Sequence, residues 1–169
     1  GTRPLLVEIQ ALVAATSYAT PRRAVIGWDS GRLAMILAVL EARCGLHFSM
    51  QDVYLNVAGG IKISEPAADL AVAAALMSAL SGKPLPGDTL FFGEIGLAGE
   101  VRQVAQAELR LKEAAKLGFG RAVMPVNLRD SDSSDKDSSG LEITRLRHVH
   151  ELEDVLGANT SAPAARQAG

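Results

Sequence analysis

Few polar residues of this chain stand at spacings that could support chemistry by themselves. His148 and His150 are separated by one residue, but no third ligand lies near them in the sequence, so a surface or interface role is favoured over a metal site. Glu65 and Asp69 are four residues apart and could form an acid pair on one helix face, although a helix N-terminus favours a carboxylate anyway. Asp29 precedes a predicted helix and is interpreted as its cap rather than as a catalytic acid. No phosphate-binding loop, nucleophile elbow or paired-cysteine motif occurs.

The basic residues offer a different chemistry, namely contact with the phosphates of a nucleic acid. The net charge of −2 argues against simple binding of a polyanion, but five acidic residues cluster in one polar segment from Asp130 to Glu142. The rest of the chain is slightly basic, and five arginines are candidate nucleic-acid-binding residues: Arg22, Arg23, Arg32, Arg102 and Arg121. One basic run, formed by Arg110, Lys112, Lys116 and Arg121, also fits a solvated helix face.

The length and composition favour one domain with a sizeable core. The chain has 169 residues, of which 48% are hydrophobic, and no run of about 18 uncharged apolar residues predicts a membrane span. The N-terminus shows neither the pattern of a signal peptide nor a starting methionine, so the chain is interpreted as a fragment of a longer protein. The single Cys44 permits no internal disulfide and is expected to be a buried core thiol, which fits a cytoplasmic location.

Hydrophobic periodicity predicts alternating strands and helices, and therefore an α/β class with a mixed sheet. Strands are predicted at 5–13, 22–27, 52–57, 61–63, 121–125 and 141–146, and helices at about 30–43, 64–80, 106–117 and 150–156, with Ser64 as one cap. The stretch 93–102 carries three evenly spaced glycines and predicts a strand, a tight turn and a returning strand. Residues 1–156 are assigned to one domain, in which 127–140 form a mobile polar loop, and 157–169 form a disordered tail.

The glycine stretch and the alanine-rich helix before it resemble the proteolytic domain of Lon peptidases. The shared features are Gly93-Glu94-Ile95 with Gly99, and a helix that starts at Glu65-Pro66-Ala67-Ala68-Asp69. In that family a serine opens this helix and a lysine on the helix after the hairpin takes its proton, because a serine hydroxyl alone is a poor nucleophile. Alignment through Pro66 and the glycine stretch places Ala67 and Glu108 at these two positions. The resemblance therefore implies a degenerate dyad and no catalytic residue.

The closer resemblance is to the C-terminal domain of the RadA (Sms) family of bacterial DNA-repair proteins. It covers roughly residues 1–126 and fades in the polar loop and the tail. It rests on the segments 1–13, 21–23, 32–33, 52–60, 68–71, 92–102 and 113–119. Gln103 departs from the family pattern, which usually has proline there.

This resemblance implies a Lon-like scaffold that hydrolyses neither ATP nor peptide and that needs no cofactor or metal of its own. Members of the family assist homologous recombination as helicase-like rings, and they carry a zinc finger and an ATPase domain. ATP, magnesium and zinc are therefore expected only in N-terminal domains outside this fragment. The expected partners are DNA (branched, single-stranded or double-stranded) and further copies of the chain, as a homo-hexameric ring in the full-length protein, without a membrane. Two alternatives stay open: an active Lon-type serine peptidase domain, and a pure oligomerisation module without DNA contact.

Overall fold

The structure is a computed structural model that describes residues 8–58, 66–127 and 140–157. Several features predicted from the sequence lie outside these residues: the short strand at 61–63, the cap Ser64, the carboxylate of Glu65, most of the polar loop and the tail from residue 158 onward. In the described part, sheets pack against helices in an α/β fold, as predicted. None of the helices in that part combines the length and the apolar character that crossing a bilayer requires.

The first sheet has three strands, with the last of them in the centre. β1 (Glu8–Ala15) pairs antiparallel with β3 (Gln51–Ala58), and β2 (Arg23–Ile26) pairs parallel with the other side of β3. The parallel pair is joined by helix α1 (Ser30–Cys44), and the Asp29 carboxylate accepts the Arg32 backbone N–H at 3.0 Å. This bond confirms the predicted cap, because the side chain satisfies an N–H that has no partner within the helix.

The second helix is the centre of the molecule. A 3₁₀ turn (Pro66–Ala68) leads into α2 (Asp69–Ser81), and every residue of α2 from Asp69 to Ser78 is buried. The predicted helix therefore begins about one turn later than Pro66 suggested. Because α2 is apolar nearly all round, it packs against the first sheet through β1 and also against the strands that follow it.

The second sheet contains three parallel strands and is flanked by a hairpin. The strands are β4 (Thr89–Phe91), β7 (Arg121–Pro125) and β8 (Glu142–Leu146), with β7 in the centre. The hairpin consists of β5 (Glu94–Ile95) and β6 (Val101–Arg102), as the glycine stretch predicted. Helix α3 (Ala107–Lys116) joins the hairpin to β7, and a 3₁₀ turn (Val149–Glu151) with α4 (Leu152–Gly157) ends the described chain.

Two hydrophobic cores lie on opposite faces of the second sheet. Phe91, Val123 and Leu146 belong to the main core, which also contains α1, α2 and one face of the first sheet. Their strand neighbours Leu90, Ala122 and Ile143 belong to a smaller core that α3 covers. A strand that is buried on both faces is typical of a parallel sheet. The first sheet is mixed, as predicted, and the other described strands form the parallel sheet and the hairpin, with α2 in contact with β1, β4 and β5.

Candidate functional site

The start of α2 lies directly against the base of the hairpin. Ala67 is buried, and its carbonyl accepts the Gly93 N–H at 2.9 Å, while the Gly93 carbonyl accepts the Leu70 N–H at 3.0 Å. Ala67, one of the two positions assigned to the degenerate dyad, therefore contributes a methyl group and a backbone carbonyl to this contact. Neither group can act as a nucleophile.

A buried ion pair lies two residues further along α2. The Asp69 carboxylate has no exposed side-chain surface, and it accepts Arg32 Nε at 2.9 Å, Arg32 Nη2 at 2.5 Å and the Ile95 backbone N–H at 3.0 Å. Burial raises the pKa of Asp69, and the bonds from Arg32 and Ile95 oppose that rise. The bond to Asp69 in turn raises the pKa of Arg32. The pair joins α1, α2 and the hairpin, and it gives Asp69 a partner other than Glu65.

Glu108, the second assigned dyad position, lies in a different environment. It is exposed in the first turn of α3, which covers the smaller core on the far face of the second sheet. Its neighbour Arg110 is buried and donates to the Ala105 carbonyl at 3.3 Å, so the expectation of a solvated face is wrong for this residue. Lys112 and Lys116, in contrast, are exposed on the solvated face of α3.

The paired arginines at the start of β2 have different surroundings. The guanidinium of Arg22 lies over the Tyr18 ring, 4.0 Å from its centroid, in a cation–π contact. Arg23 instead donates to backbone carbonyls, those of Arg22 (3.2 Å), Phe48 (2.8 Å) and Gln51. These bonds tie β2 to the turn before β3, which is a structural task for Arg23.

The other three candidate arginines each face a carboxylate. Arg32 is held by Asp69, Arg102 Nη2 lies 2.6 Å from Glu100, and Arg121 Nε lies 3.8 Å from Glu142. Arg121 begins β7, whereas the Gln103 side chain that follows Arg102 bonds the Val126 carbonyl just beyond the end of β7. Arg102 and Arg121 therefore lie at opposite ends of the second sheet, and the five candidates do not form one cluster.

The His148 ring is bonded to backbone groups on both of its nitrogens, and the exposed His150 ring lies beside it. The His148 and His150 rings lie 4.4 Å apart. His148 Nδ1 accepts the His150 N–H at 3.1 Å, so Nε2 carries the proton that is donated to the Ala98 carbonyl at 2.9 Å. Across the described residues, no three histidine, cysteine or acidic side chains are grouped as a metal site would need.

Two basic residues that the sequence reasoning passed over lie beside the hairpin. Arg145, near the end of β8, donates to the Pro125 carbonyl at 3.4 Å, and Arg147 follows the strand with its side chain exposed. The Arg147 carbonyl accepts the Val101 N–H at 2.9 Å, which brings it next to Arg102. The available signal was the alternation of Arg145 and Arg147 around the apolar Leu146 at a strand end.

Comparisons with known proteins agree on the family. The family model described as "Subunit ChlI of Mg-chelatase" matches residues 29–127. The chain is 68% identical over 125 residues to the DNA repair protein RadA of Brucella abortus, a match that covers 74% of this chain and 27% of the relative. It is 48% identical to RadA of Rickettsia bellii (94% of this chain, 34% of the relative) and 47% identical to RadA of Pseudomonas aeruginosa (92% and 34%). The chain thus spans about a third of the length of these relatives or less. It belongs to the family that the ChlI model describes, and it is a RadA homologue.

Proposed function

We propose that the chain is a non-proteolytic, Lon-like domain of a RadA-type DNA-repair ATPase, in which it acts as an oligomerisation scaffold and a DNA-binding module. Homology with RadA proteins over most of the chain supports the repair context. In this proposal ATP hydrolysis, with its magnesium, and any zinc site belong to parts of the protein outside the chain. The domain itself needs no cofactor.

One observation carries the non-proteolytic part of the proposal, namely the state of the backbone donors beside Ala67. A peptidase needs a nucleophile and free N–H groups that stabilise the oxyanion of the tetrahedral intermediate. Here the Gly93 N–H bonds the Ala67 carbonyl and the Ile95 N–H bonds the Asp69 carboxylate. These two donors near Ala67 are therefore occupied within the chain, and Ala67 itself supplies no hydroxyl nucleophile.

The scaffold role is supported by apolar side chains that the described chain leaves uncovered. On the outer face of the first sheet, Leu12 and Ile26 are 59% and 69% exposed; Leu12 lies opposite the partly exposed Tyr54 of the central strand, and Ile26 lies opposite Asn56. Exposed apolar patches are typical of an interface with another protein surface. In a ring, each subunit uses two different patches, and we assign this face to one of them.

The DNA-binding role is supported by exposed arginines rather than by net charge. Arg22 and Arg121 from the sequence-derived set are exposed, and Arg147 adds a third exposed guanidinium. Arg32 and Arg23, in contrast, are engaged by a buried carboxylate and by backbone carbonyls. The contact would be made to phosphates and would be independent of sequence.

The experiment compares three versions of the full-length protein by light scattering and by DNA-binding anisotropy. Leu12→Glu with Ile26→Glu should lower the mass of the assembly, because two carboxylates would have to be buried at the interface. Arg22→Gln, Arg121→Gln, Arg145→Gln and Arg147→Gln together should leave the mass unchanged and weaken DNA binding. If this second variant binds DNA like the wild type, the domain is an oligomerisation module only. If the first variant assembles normally, this face is not part of a ring.

A further inference from the structure

Strand β2 forms one edge of the first sheet, and its outer side is open. β2 pairs with β3 on one side, and no other strand of the described residues adjoins it. The Val53 N–H bonds the Arg22 carbonyl at 2.9 Å, so this parallel register turns the N–H and carbonyl groups of Val25 away from β3. Native proteins usually protect such an edge with charges, proline or a bulge, whereas β2 continues from Arg23 into the apolar stretch 24–26. The edge is therefore able to accept a further strand.

A groove of about 290 Å³ lies between this edge and α1, and we call it the β2 groove. Its apolar lining consists of the buried or half-buried side chains of Val25, Leu33 and Leu37, together with Ala34 and Ala38 on the exposed side of α1. The two alanines are small, so they leave the groove open where longer side chains would close it. A strand added to β2 would direct alternate side chains into the groove, because successive side chains of a strand point to opposite faces.

The length of the β2 groove fits a short extended segment. The lining residues of α1 run from Ser30 to Glu41, which is roughly 16 Å along a helix. An extended chain rises roughly 3.3 Å per residue, so about five residues span the groove. Alternate residues of such a segment would be covered by α1, and the residues between them would lie beside Ile26, which is 69% exposed on the opposite face of β2.

Each end of the β2 groove carries a carboxylate. Glu41 lies at the same end as Arg23, since both side chains bond the backbone of Phe48, and Asp29 directly precedes Ser30 at the other end. Both carboxylates are exposed, and each accepts one backbone N–H, at 3.3 Å and 3.0 Å respectively, and retains further acceptor positions. Within the described part of the chain, neither lies within ion-pair distance of a basic side chain. The Arg23 guanidinium, in contrast, is engaged by three backbone carbonyls. The hydrogen-bonding capacity that remains at both ends therefore favours a basic donor.

We propose that β2 and its groove are a docking site for an extended segment of a partner protein. The segment pairs with the open edge of β2, inserts apolar side chains at alternate positions and carries a basic residue at each end. Main-chain hydrogen bonds supply affinity in this mode of recognition, and the groove selects the apolar side chains. Asp29 and Glu41 select the basic residues at the two ends by charge complementarity. The inference goes beyond the proposed function, because it requires neither DNA nor self-association.

The test measures binding of a fluorescent peptide to the full-length protein by anisotropy. The peptide is Arg-Val-Thr-Val-Thr-Val-Arg with blocked termini, and the reference peptide has glutamate in place of both arginines. Two variants close the site in different ways: Val25→Pro removes an outward N–H of the edge, and Ala38→Leu fills the groove. The matched control is Ala42→Leu, because Ala42 is an exposed alanine of α1 that does not line the groove. A double variant, Asp29→Asn with Glu41→Gln, removes both charges and retains a side chain that caps α1.

We expect the arginine-flanked peptide to bind the wild type and Ala42→Leu alike, and each closing variant to bind it about 10-fold more weakly. The uncharged double variant should bind this peptide roughly 5-fold more weakly, the effect of losing two exposed ion pairs, and should not prefer it to the reference peptide. Ala38→Leu decides the outcome alone if Val25→Pro fails to fold, as judged by circular dichroism.

Three results would overturn the proposal. The first is that the wild type binds neither peptide. The second is that Ala42→Leu weakens binding as much as Ala38→Leu, because the groove would then not be the site. The third comes from light scattering: if a folded closing variant forms a smaller assembly than the wild type, another copy of the chain covers the edge of β2 instead of a partner protein.

Discussion

Arg32 and Asp69, which are 37 residues apart in sequence, form a bidentate ion pair that joins the starts of α1 and α2. The Ile95 N–H, which also bonds Asp69, joins the pair to the hairpin. Asp69 is fully buried, whereas the Arg32 side chain keeps 22% of its surface exposed. The two residues therefore differ in what their loss would leave behind. An orphaned Arg32 could still reach water, but an orphaned Asp69 would be a buried charge without a counterion.

Replacing Arg32 by methionine should destabilise the domain by about 3 kcal/mol or more, because it leaves the Asp69 carboxylate buried and unpaired. Adding Asp69→Asn to that variant should recover part of the loss, since a neutral amide still offers an oxygen to the Ile95 N–H. Urea unfolding followed by circular dichroism measures both effects. A double variant that is less stable than Arg32→Met alone would contradict this account of the pair.

The loss in Arg32→Met should also depend on pH. Without Arg32, the burial that raises the pKa of Asp69 is no longer opposed by the guanidinium. A carboxyl group whose folded pKa exceeds its unfolded value binds a proton more readily in the folded state, so stability increases as pH falls through the folded pKa. The difference between the variant and the wild type should therefore be larger at pH 7 than at pH 5. An equal difference at both values would indicate that the carboxylate is hydrated in the variant.

Installing the two Lon-type side chains should not create a peptidase. The double variant Ala67→Ser with Glu108→Lys supplies a hydroxyl and an amine, but the new hydroxyl would still lie beside backbone donors that are occupied by the carbonyl of residue 67 and by Asp69. We expect casein and a fluorogenic peptide to stay intact, with an active Lon-type peptidase as the positive control in the same assay. Cleavage by the double variant that disappears when position 67 is returned to alanine would show that the site is intact.

The hairpin tip should tolerate no side chain at Gly99. This residue has a φ of 87°, and a Cβ added there would meet the His148 ring, which bonds the Ala98 carbonyl. Gly99→Ala should cost roughly 2–3 kcal/mol, the sum of a left-handed backbone and a lost hydrogen bond. Gly118→Ala is the matched control, because Gly118 has a φ of 91° with open space around its Cβ. Its cost should be limited to about 1–2 kcal/mol. Thermal melts that rank the two variants equally would argue against the contact with His148.

Cys44 should react slowly with thiol reagents in the folded protein. It is partly buried against the main core, and burial together with the nearby Glu153 raises its pKa from 9.0 to about 11. The rise of the pKa from 9.0 to about 11 lowers the fraction of thiolate at pH 8 by about 100-fold. The thiolate is the reactive form of the cysteine. Because the chain has a single cysteine, Ellman's reagent reports this site alone. Addition of urea should restore fast labelling, and fast labelling without urea would show an accessible thiol.

Sequence patterns predicted the elements whose boundaries are determined by residues close to them in the chain. The cap at Asp29 fixed the start of α1 within the sequence itself, and the strand Arg121–Pro125 matches its prediction in full. β4 was missed as a strand in its own right, because it has only three residues and is stabilised by parallel pairing with β7 about 30 residues later. The division into two sheets has the same cause. It depends on which strands pack against α2, and the hydrophobic periodicity of α2 does not identify those strands.

The surroundings of the candidate site residues were harder still to predict, because they depend on contacts between residues that are distant in the chain. The alignment that assigned Ala67 and Glu108 used sequence positions, and the structure places these residues in a buried turn and on an exposed helix respectively. The arginines were chosen because of their charge, but charge does not reveal which of them find an acidic partner in the fold. Arg32 did so through Asp69, and Arg110 is buried. Arg147, which was not chosen, is exposed without such a partner among the described residues.

The hydrogen bonds between the hairpin and the segment after β8 have a consequence for folding during synthesis. The Gly99 carbonyl accepts the Val149 N–H at 2.8 Å, and Ala98 is bonded by His148, 50 residues further along the chain. A ribosome delivers the N-terminal residues first. Both hairpin strands, together with α1 and α2, therefore emerge well before His148 and Val149 can form these hydrogen bonds. These hydrogen bonds to the hairpin therefore form only when the end of the domain has been released. A chain that terminates early, before His148, would keep most of its core yet lack a finished hairpin.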